Sequence, residues 1–324
     1  MPEKTVLAIA GAGDLAKYIV DEALKTEKIS IVILSREKKQ WFEDRSARVS
    51  VHVTDYTPVS ILSILEITSA SALFSLIHSF DPAQYLGAHY AMLQACQQSK
   101  LCKRFAPSYF GGNIDKFPDY PRVYRAAHQV FHNFMQNNAD GIELTVINQG
   151  WMMDYVTVFV RDGQYGEKTY MKSQQSIWPI NMEAWTATIP GTGDEPAAFT
   201  SARDVAKSIC ALALTQTHWE QHTYVVGEQI SWNIMLDKLE KYYERKFNYR
   251  ENMSLVDIRR ELVSSANKDN LSRQALLQIL EWTALGGQGL PLDLVERQRE
   301  KYFSEITYRR VDDLLKDSQS MAIV

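Results

Sequence analysis

Apolar and β-branched residues fill Thr5 to Ala10 without interruption, a glycine-bearing turn follows, and apolar positions then recur at helical spacing over 15–24. That order predicts a strand, a turn and a helix. The alternation runs on through strands at 29–34, 49–53, 72–77, 104–106 and 144–148, with helices at 59–65, 85–99 and 124–137 between them. Apolar strands separated by helices belong to a parallel sheet covered on both faces. The predicted fold class is therefore α/β, a doubly wound parallel sheet of the Rossmann type.

After Gly150 the rhythm stops. Aromatic residues and Gly/Pro punctuation run from 151 to 196, and helical spacing returns only at 202–214, 232–245 and 255–285. This pattern predicts a second, smaller α+β lobe over the carboxyl ends of the strands. Residues 1–150 are expected to form a dinucleotide-binding unit to which 200–228 return, with 151–199 and 229–324 forming the substrate lobe. A length of 324 residues suits that division at roughly 150 residues per domain.

Charge and composition narrow the partners. Thirty-five Lys plus Arg against 39 Asp plus Glu give a net charge of −4, so no cationic excess is available to hold a phosphate backbone, and nucleic acid is not expected. The apolar runs fall far short of the roughly 20 residues a membrane span needs. Met1 to Thr5 lacks the pattern of a secretory leader, and Cys96, Cys102 and Cys210 make no CxxC pair; a cytoplasmic protein, monomer or homodimer, is expected.

The first strand ends in Gly11, Ala12, Gly13, Asp14, Leu15 and Ala16, which reads G-x-G-x-x-A. Gly11 permits a tight turn, Gly13 lets backbone approach a diphosphate, and Ala16 keeps the helix close to the sheet. The helix amino terminus adds unpaired N–H groups and a favourable dipole. At the end of the second strand an acidic residue would select NAD, yet Ser35 and Arg36 stand there, with Lys38 and Lys39 following. Positive charge at that place favours a ribose 2′-phosphate, so the expected cofactor is NADP(H).

Further segments carry a family resemblance. KRFAPSYFG at 103–111 resembles a K-R-F-x-P-S-E-F-G signature, NQGWMMDY at 148–155 resembles N-x-G-x-F-x-D-Y, and TSARDVA at 200–206 resembles T-x-x-x-D-I-A. Together they resemble the NmrA-like and isoflavone-reductase-like branch of the atypical short-chain dehydrogenases, in its fungal form, over roughly the first 215 residues. The resemblance implies a Rossmann domain carrying NADP(H), with Pro107, Ser108 and Asn148 beside the cofactor and substrate held against the smaller lobe. Two departures stand out. Tyr109 replaces the usual Glu, and His128 stands where the family places a lysine.

Tyr124 and His128 are four apart on a predicted helix and so share a face. The Tyr-x-x-x-His pair resembles the Tyr-x-x-x-Lys of short-chain dehydrogenases, and a histidine is suited to acid or base work near neutral pH. His128, Tyr124 and Tyr109 are the candidate catalytic residues. His128 with His132, and His218 with His222, have helical spacing but no accompanying carboxylate or thiolate pattern, so no metal is expected. Trp151, Met152 and Tyr155 follow the sixth strand at the carboxyl edge, where ligands of such sheets bind. They are expected to form a substrate wall with Trp178, and with Trp185 and Phe199 completing it, suited to a bulky aromatic or polycyclic metabolite of specialised metabolism. Three functions compete: an NADP(H)-dependent reductase, an NADP(H)-binding isomerase without net redox, and a non-catalytic NADP sensor.

Overall fold

The computed structural model describes residues 4–161, 164–171, 177–265 and 271–324. The first half runs β1 (Thr5–Ala10), α1 (Asp14–Leu24), β2 (Ile29–Ser35), α2 (Gln40–Glu43), β3 (Val49–Val53), α3 (Pro58–Thr68), β4 (Ala72–Ser75), α4 (Pro82–Gln98) and β5 (Arg104–Ala106). It continues with α5 (Arg122–Tyr124), a π-helical turn at Arg125–Gln129, α6 (Val130–Asn138) and β6 (Glu143–Leu144). These six strands form one sheet in the order β3-β2-β1-β4-β5-β6, and every pairing is parallel. The strand order reverses beside β1, with Ala10 opposite Leu34 on one side and Ser75 on the other. A crevice at that switch point is where ligands of open α/β sheets bind.

Strand periodicity explains the two faces. Leu7 and Ile9 of β1 enter one core with Ile19 of α1, and Ala8 and Ala10 enter the other with Ile61 of α3 and Met92 of α4. Each fully buried Leu or Ile contributes about 1.5–3 kcal/mol, which is why the strands read as continuous apolar runs. Caps fix the helix starts: Thr57 accepts from the Ser60 amide ahead of α3, and Asp81 accepts from the Ala83 and Gln84 amides ahead of α4.

Two predicted elements are interrupted. The helix over 124–137 contains the π-helical turn, and the sixth strand divides at Thr145, after which β7 (Val146–Asn148) leaves the main sheet's pairing. The second half adds β8 (Trp151–Met152), the hairpin of β9 (Val158–Arg161) and β10 (Gln164–Glu167), β11 (Ile180–Asn181), β12 (Thr186–Pro190) and β13 (Pro196–Thr200). α7 (Ala202–Leu214), β14 (His222–Tyr224), β15 (Glu228–Ser231), α8 (Trp232–Tyr242) and β16 (Tyr249–Met253) follow, then α9 (Leu255–Ser265), α10 (Leu271–Ala284), α11 (Leu292–Tyr302) and α12 (Val311–Ser320). β14 pairs in parallel with β7, and the Thr145 and Thr223 hydroxyls meet at 2.7 Å.

α7 packs on α1, so Val205 and Ile209 share the core of Leu7 and Ile9. Tyr302 and Phe303 enter the same core. A separate cluster of Trp151, Met153, Trp178, Trp232 and Leu236 fills the region between the three-stranded sheet β15-β13-β8 and α8. No helix among the described residues is long and apolar enough to cross a membrane.

Candidate active site

The glycine turn sits at the reversal of strand order. Gly11 has φ +111°, a conformation side chains rarely adopt, and a Cβ there would lie 3.4 Å from Leu76. Its amide donates to the Leu34 carbonyl at 2.9 Å, which ties the turn to the end of β2. Gly13 caps α1 with no side-chain hydrogen bond, and a Cβ built on it would meet nothing within 4 Å. The head of α1 therefore has no side-chain cap from Gly13 and open space beside it, a cradle that fits a diphosphate. Asp14 pairs with Lys17 at 3.3 Å, Leu15 is buried, and Ala16 is fully buried in the core beneath.

Ser35 is buried at the end of β2 and Arg36 is exposed just beyond it. Arg36 lines a cavity of about 390 Å³ with Asp55, Tyr56, Ile77, His78, Ser79, Gln84, Gly87 and Ala88. Lys38 is not in that lining; it lies 3.9 Å from Glu43, while Lys39 pairs with Glu37. The Tyr56 hydroxyl donates to the Leu34 carbonyl at 2.7 Å, the same oxygen that receives the Gly11 amide. Asp55 and Tyr56, Gln84 and His78 have no local signature in the sequence; they reach the cavity because β3, α4 and β4 all end at this edge.

Beyond β5, Pro107 and Ser108 are buried, and the Ser108 carbonyl accepts from the Tyr85 hydroxyl at 2.9 Å while its amide donates to His89 Nε2 at 3.2 Å. Four rings then form a column. Tyr124 stacks on His128 at 4.0 Å between centroids, His128 faces Tyr85 at 4.0 Å, and Tyr85 stacks on His89 at 3.9 Å. Tyr109 meets His128 edge-on at 5.1 Å. His128 is 1% exposed, and neither ring nitrogen has a hydrogen-bond partner among the described residues. Burial, reinforced by His78 and His89, holds its pKa well below the ordinary 6.5, so the imidazole is neutral at neutral pH. Burial pushes the Tyr124 phenol up to about 12 and that of Tyr109 further.

Tyr124 lines a second cavity, of about 110 Å³, with Phe110, Gly111, Gln149, Gly150, Trp151, Met152, Tyr155, Ile177, Ile279, Trp282 and Gln288. Gly150, at φ +68°, has no room for a side chain, since a Cβ would lie 2.2 Å from the Ala198 carbonyl oxygen. The Oε1 atoms of Gln149 and Gln288 and the Nε1 atoms of Trp151 and Trp282 are buried without partners among the described residues. His128 and Tyr109 are outside this lining, so of the three candidate catalytic side chains Tyr124 is the one at the cavity. Asn148, fully buried, gives its amide to the Val146 carbonyl at 2.9 Å.

The aromatic wall is shorter than expected. Trp178 lies behind it, 5.6 Å from Trp151 and 5.2 Å from Tyr155, and lines a different cavity of about 480 Å³ that includes Thr188, Glu251 and Leu276. Trp185, in the turn just before β12 at φ +56°, instead stacks on Phe247 at 4.5 Å, and Phe199 of β13 packs against Trp232 at 5.0 Å, so both lie in the lobe core. Ile279, Trp282 and Gln288 complete the wall from more than a hundred residues downstream. His132 pairs with His222, 5.3 Å apart, and among the described residues no three His, Cys, Asp or Glu side chains converge as metal ligands.

A parallel sheet in this order, with a glycine turn at its reversal and cavities along its carboxyl edge, defines a Rossmann-type α/β protein. The chain belongs to the NmrA-like family, whose sequence profile matches residues 2–313. Oxidoreductase swnR of Arthroderma benhamiae is 35% identical over 306 residues, covering 94% of each chain. Among solved structures, leucoanthocyanidin reductase from Vitis vinifera in a binary complex with NADPH superposes with a TM-score of 0.70 at 18% identity, over 96% of this chain and 98% of that one. A protein solved with NADP+ and (+)-pinoresinol superposes at 0.72 and 18% identity, over 98% and 100%.

Proposed function

We propose that the protein is an NADP(H)-dependent reductase of a small, flat, hydrogen-bonding metabolite, with Tyr124 as its proton donor. One observation carries the reading: the glycine turn lies at the reversal of strand order, and Arg36 and Tyr124 each line a cavity that opens beyond the carboxyl ends of the strands. The Gly13 turn would hold the diphosphate and Arg36 the 2′-phosphate, since no carboxylate pairs with Arg36 among the described residues. Bound NADPH supplies a hydride. Tyr124, protonated at neutral pH as phenols ordinarily are and held more firmly so by burial, supplies the proton to the oxygen or nitrogen that gains charge. His128 and Tyr85 hold the phenol's plane by stacking. Gln149 and Gln288 offer acceptors and Trp151 and Trp282 offer donors to polar groups of the substrate.

Size supports a compact substrate. A cavity of about 150 Å³ holds a benzene ring, so 110 Å³ admits a compact or single-ring substrate before a polycyclic one. The test is substrate-dependent loss of NADPH absorbance across a panel of single-ring and polycyclic compounds, with calorimetry of NADP+ and NAD+. Tyr124→Phe is expected to lower turnover by about 10²–10⁴-fold with cofactor affinity retained. Arg36→Ala is expected to weaken NADP+ by roughly tenfold or more and leave NAD+ nearly unchanged. No NADP(H) binding, or full activity in Tyr124→Phe, overturns the proposal. An isomerase reading draws on the absent lysine, and product formed without NADPH consumption would select it.

A further inference from the structure

We propose that His78 acts through Tyr124 as its proton resupply, linking the Arg36 cavity to the Tyr124 cavity. The inference rests on the reading of Tyr124 as proton donor. His78 follows β4 and lines the 390 Å³ cavity, while Tyr124 lines the 110 Å³ cavity. Their rings meet edge-on at 6.1 Å between centroids, which makes the two side chains direct neighbours, and in the proposal a single water joins the imidazole to the phenol hydroxyl. His78 is thus in contact with both the phenol and an opening to solvent.

The other groups of the column are committed elsewhere. His89 has Nδ1 on the Tyr85 carbonyl at 2.8 Å and Nε2 on the Ser108 amide, and the Tyr85 hydroxyl is spent on the Ser108 carbonyl. His128 lies flat against Tyr124, with its ring faces rather than its nitrogens toward the phenol. The groups facing His78 are Arg36 and Asp55 across the cavity, Tyr56 beside them, His89 from α4, and Tyr124 and His128 from α5 and the π-helical turn. Solvent reaches the imidazole from the cavity side, while packing on its other side draws its pKa below the ordinary 6.5 by desolvation.

The proton count closes. The Tyr124 O–H bond breaks as the product's new bond to hydrogen forms, an N–H bond of the His78 imidazolium breaks as Tyr124 regains its proton, and His78 takes a proton from water at the Arg36 cavity. The electrons of the reduction come from the hydride of the reduced nicotinamide.

The experiment compares the full chain with His78→Gln and His78→Ala. Turnover at saturating NADPH is expected to fall at least about tenfold in both. Added imidazole is expected to restore turnover in His78→Ala, more strongly as pH falls and its protonated form grows, and to leave the parent unchanged. In the ligand-free protein, histidine-ring NMR is expected to show the His78 signals shifting in Tyr124→Phe but not in the remote variant His52→Gln. Undiminished turnover in His78→Gln, absence of imidazole rescue, or His78 signals indifferent to Tyr124→Phe overturns the proposal. Full activity in Tyr124→Phe with the NMR coupling intact would instead strike the reading of Tyr124.

Discussion

Asp154 shows how much one side chain can bias this molecule. It is fully buried, its Oδ2 accepts the Ala202 amide at 2.7 Å at the head of α7, and its Oδ1 has no partner among the described residues. Burial, helped by nearby Asp204 and opposed by the Ala202 amide and Arg309, raises its pKa to about 6. An unfolded Asp titrates near about 4, so between those values the folded chain holds a proton that the unfolded chain releases. Stability from this group is therefore present at low pH and lost as pH rises through that window, by on the order of 3 kcal/mol. Asp154→Asn, which keeps an acceptor for Ala202 without the charge, is expected to gain that amount on the wild type between about pH 4 and above pH 6. Urea unfolding at a series of pH values checks this; parallel curves for the two proteins would refute it. The aspartate was visible in the sequence as part of a motif, whereas its orphaned oxygen follows from α7 packing across it.

At the scale of elements, the π-helical turn at Arg125–Gln129 sets the direction of Tyr124. A π-turn amounts to one extra residue within an α-helix and rotates everything on its amino-terminal side by roughly a quarter to a third of a turn. Deleting the exposed Ala126 should restore regular winding, swing Tyr124 off the 110 Å³ cavity and remove most NADPH turnover, while circular dichroism and cofactor binding stay near wild type. Retained turnover would show that the register is immaterial. Spacing alone predicted this stretch as helix, because a shift in backbone hydrogen bonding leaves the residue pattern intact. β1, β3, β5 and α7 were legible to the residue, since caps, glycines and uninterrupted apolar runs bound them. α11 was not, because its buried side chains are only Val295, Gln298 and Tyr302, too sparse a stripe to read. Likewise the glycine turn and Tyr124 could be found locally, whereas Trp282, Gln288 and His78 join the cavities through tertiary packing.

Across the whole molecule, the segment after α11 ties the two halves together. Arg309 is largely buried, its amide donates to Asp204 at 2.8 Å, its guanidinium donates to Ser201 at 2.8 Å, and it lies 3.4 Å from Asp317. Arg203 joins Glu22 of α1 at 2.6 Å and reaches the Ile323 carbonyl at 3.1 Å. Removing Arg309 leaves buried Asp204 with Lys207 as its one cationic partner among the described residues, so Arg309→Ala is expected to cost about 3 kcal/mol in urea unfolding. A change within about 0.5 kcal/mol would mean the site is as tolerant as open surface.

The core shared by β1, α7, Tyr302 and Phe303 has a consequence for how the protein is made. β1, covered on that side by α1 soon after it is made, must wait for a helix two hundred residues later, and for two aromatic rings a further ninety on, before the cover is complete. Throughout translation a nascent sheet would carry one partly bare, sticky flank, so a premature stop codon upstream of Tyr302 should yield a product that engages chaperones and is degraded, even though every residue of the nucleotide cradle has already been synthesised.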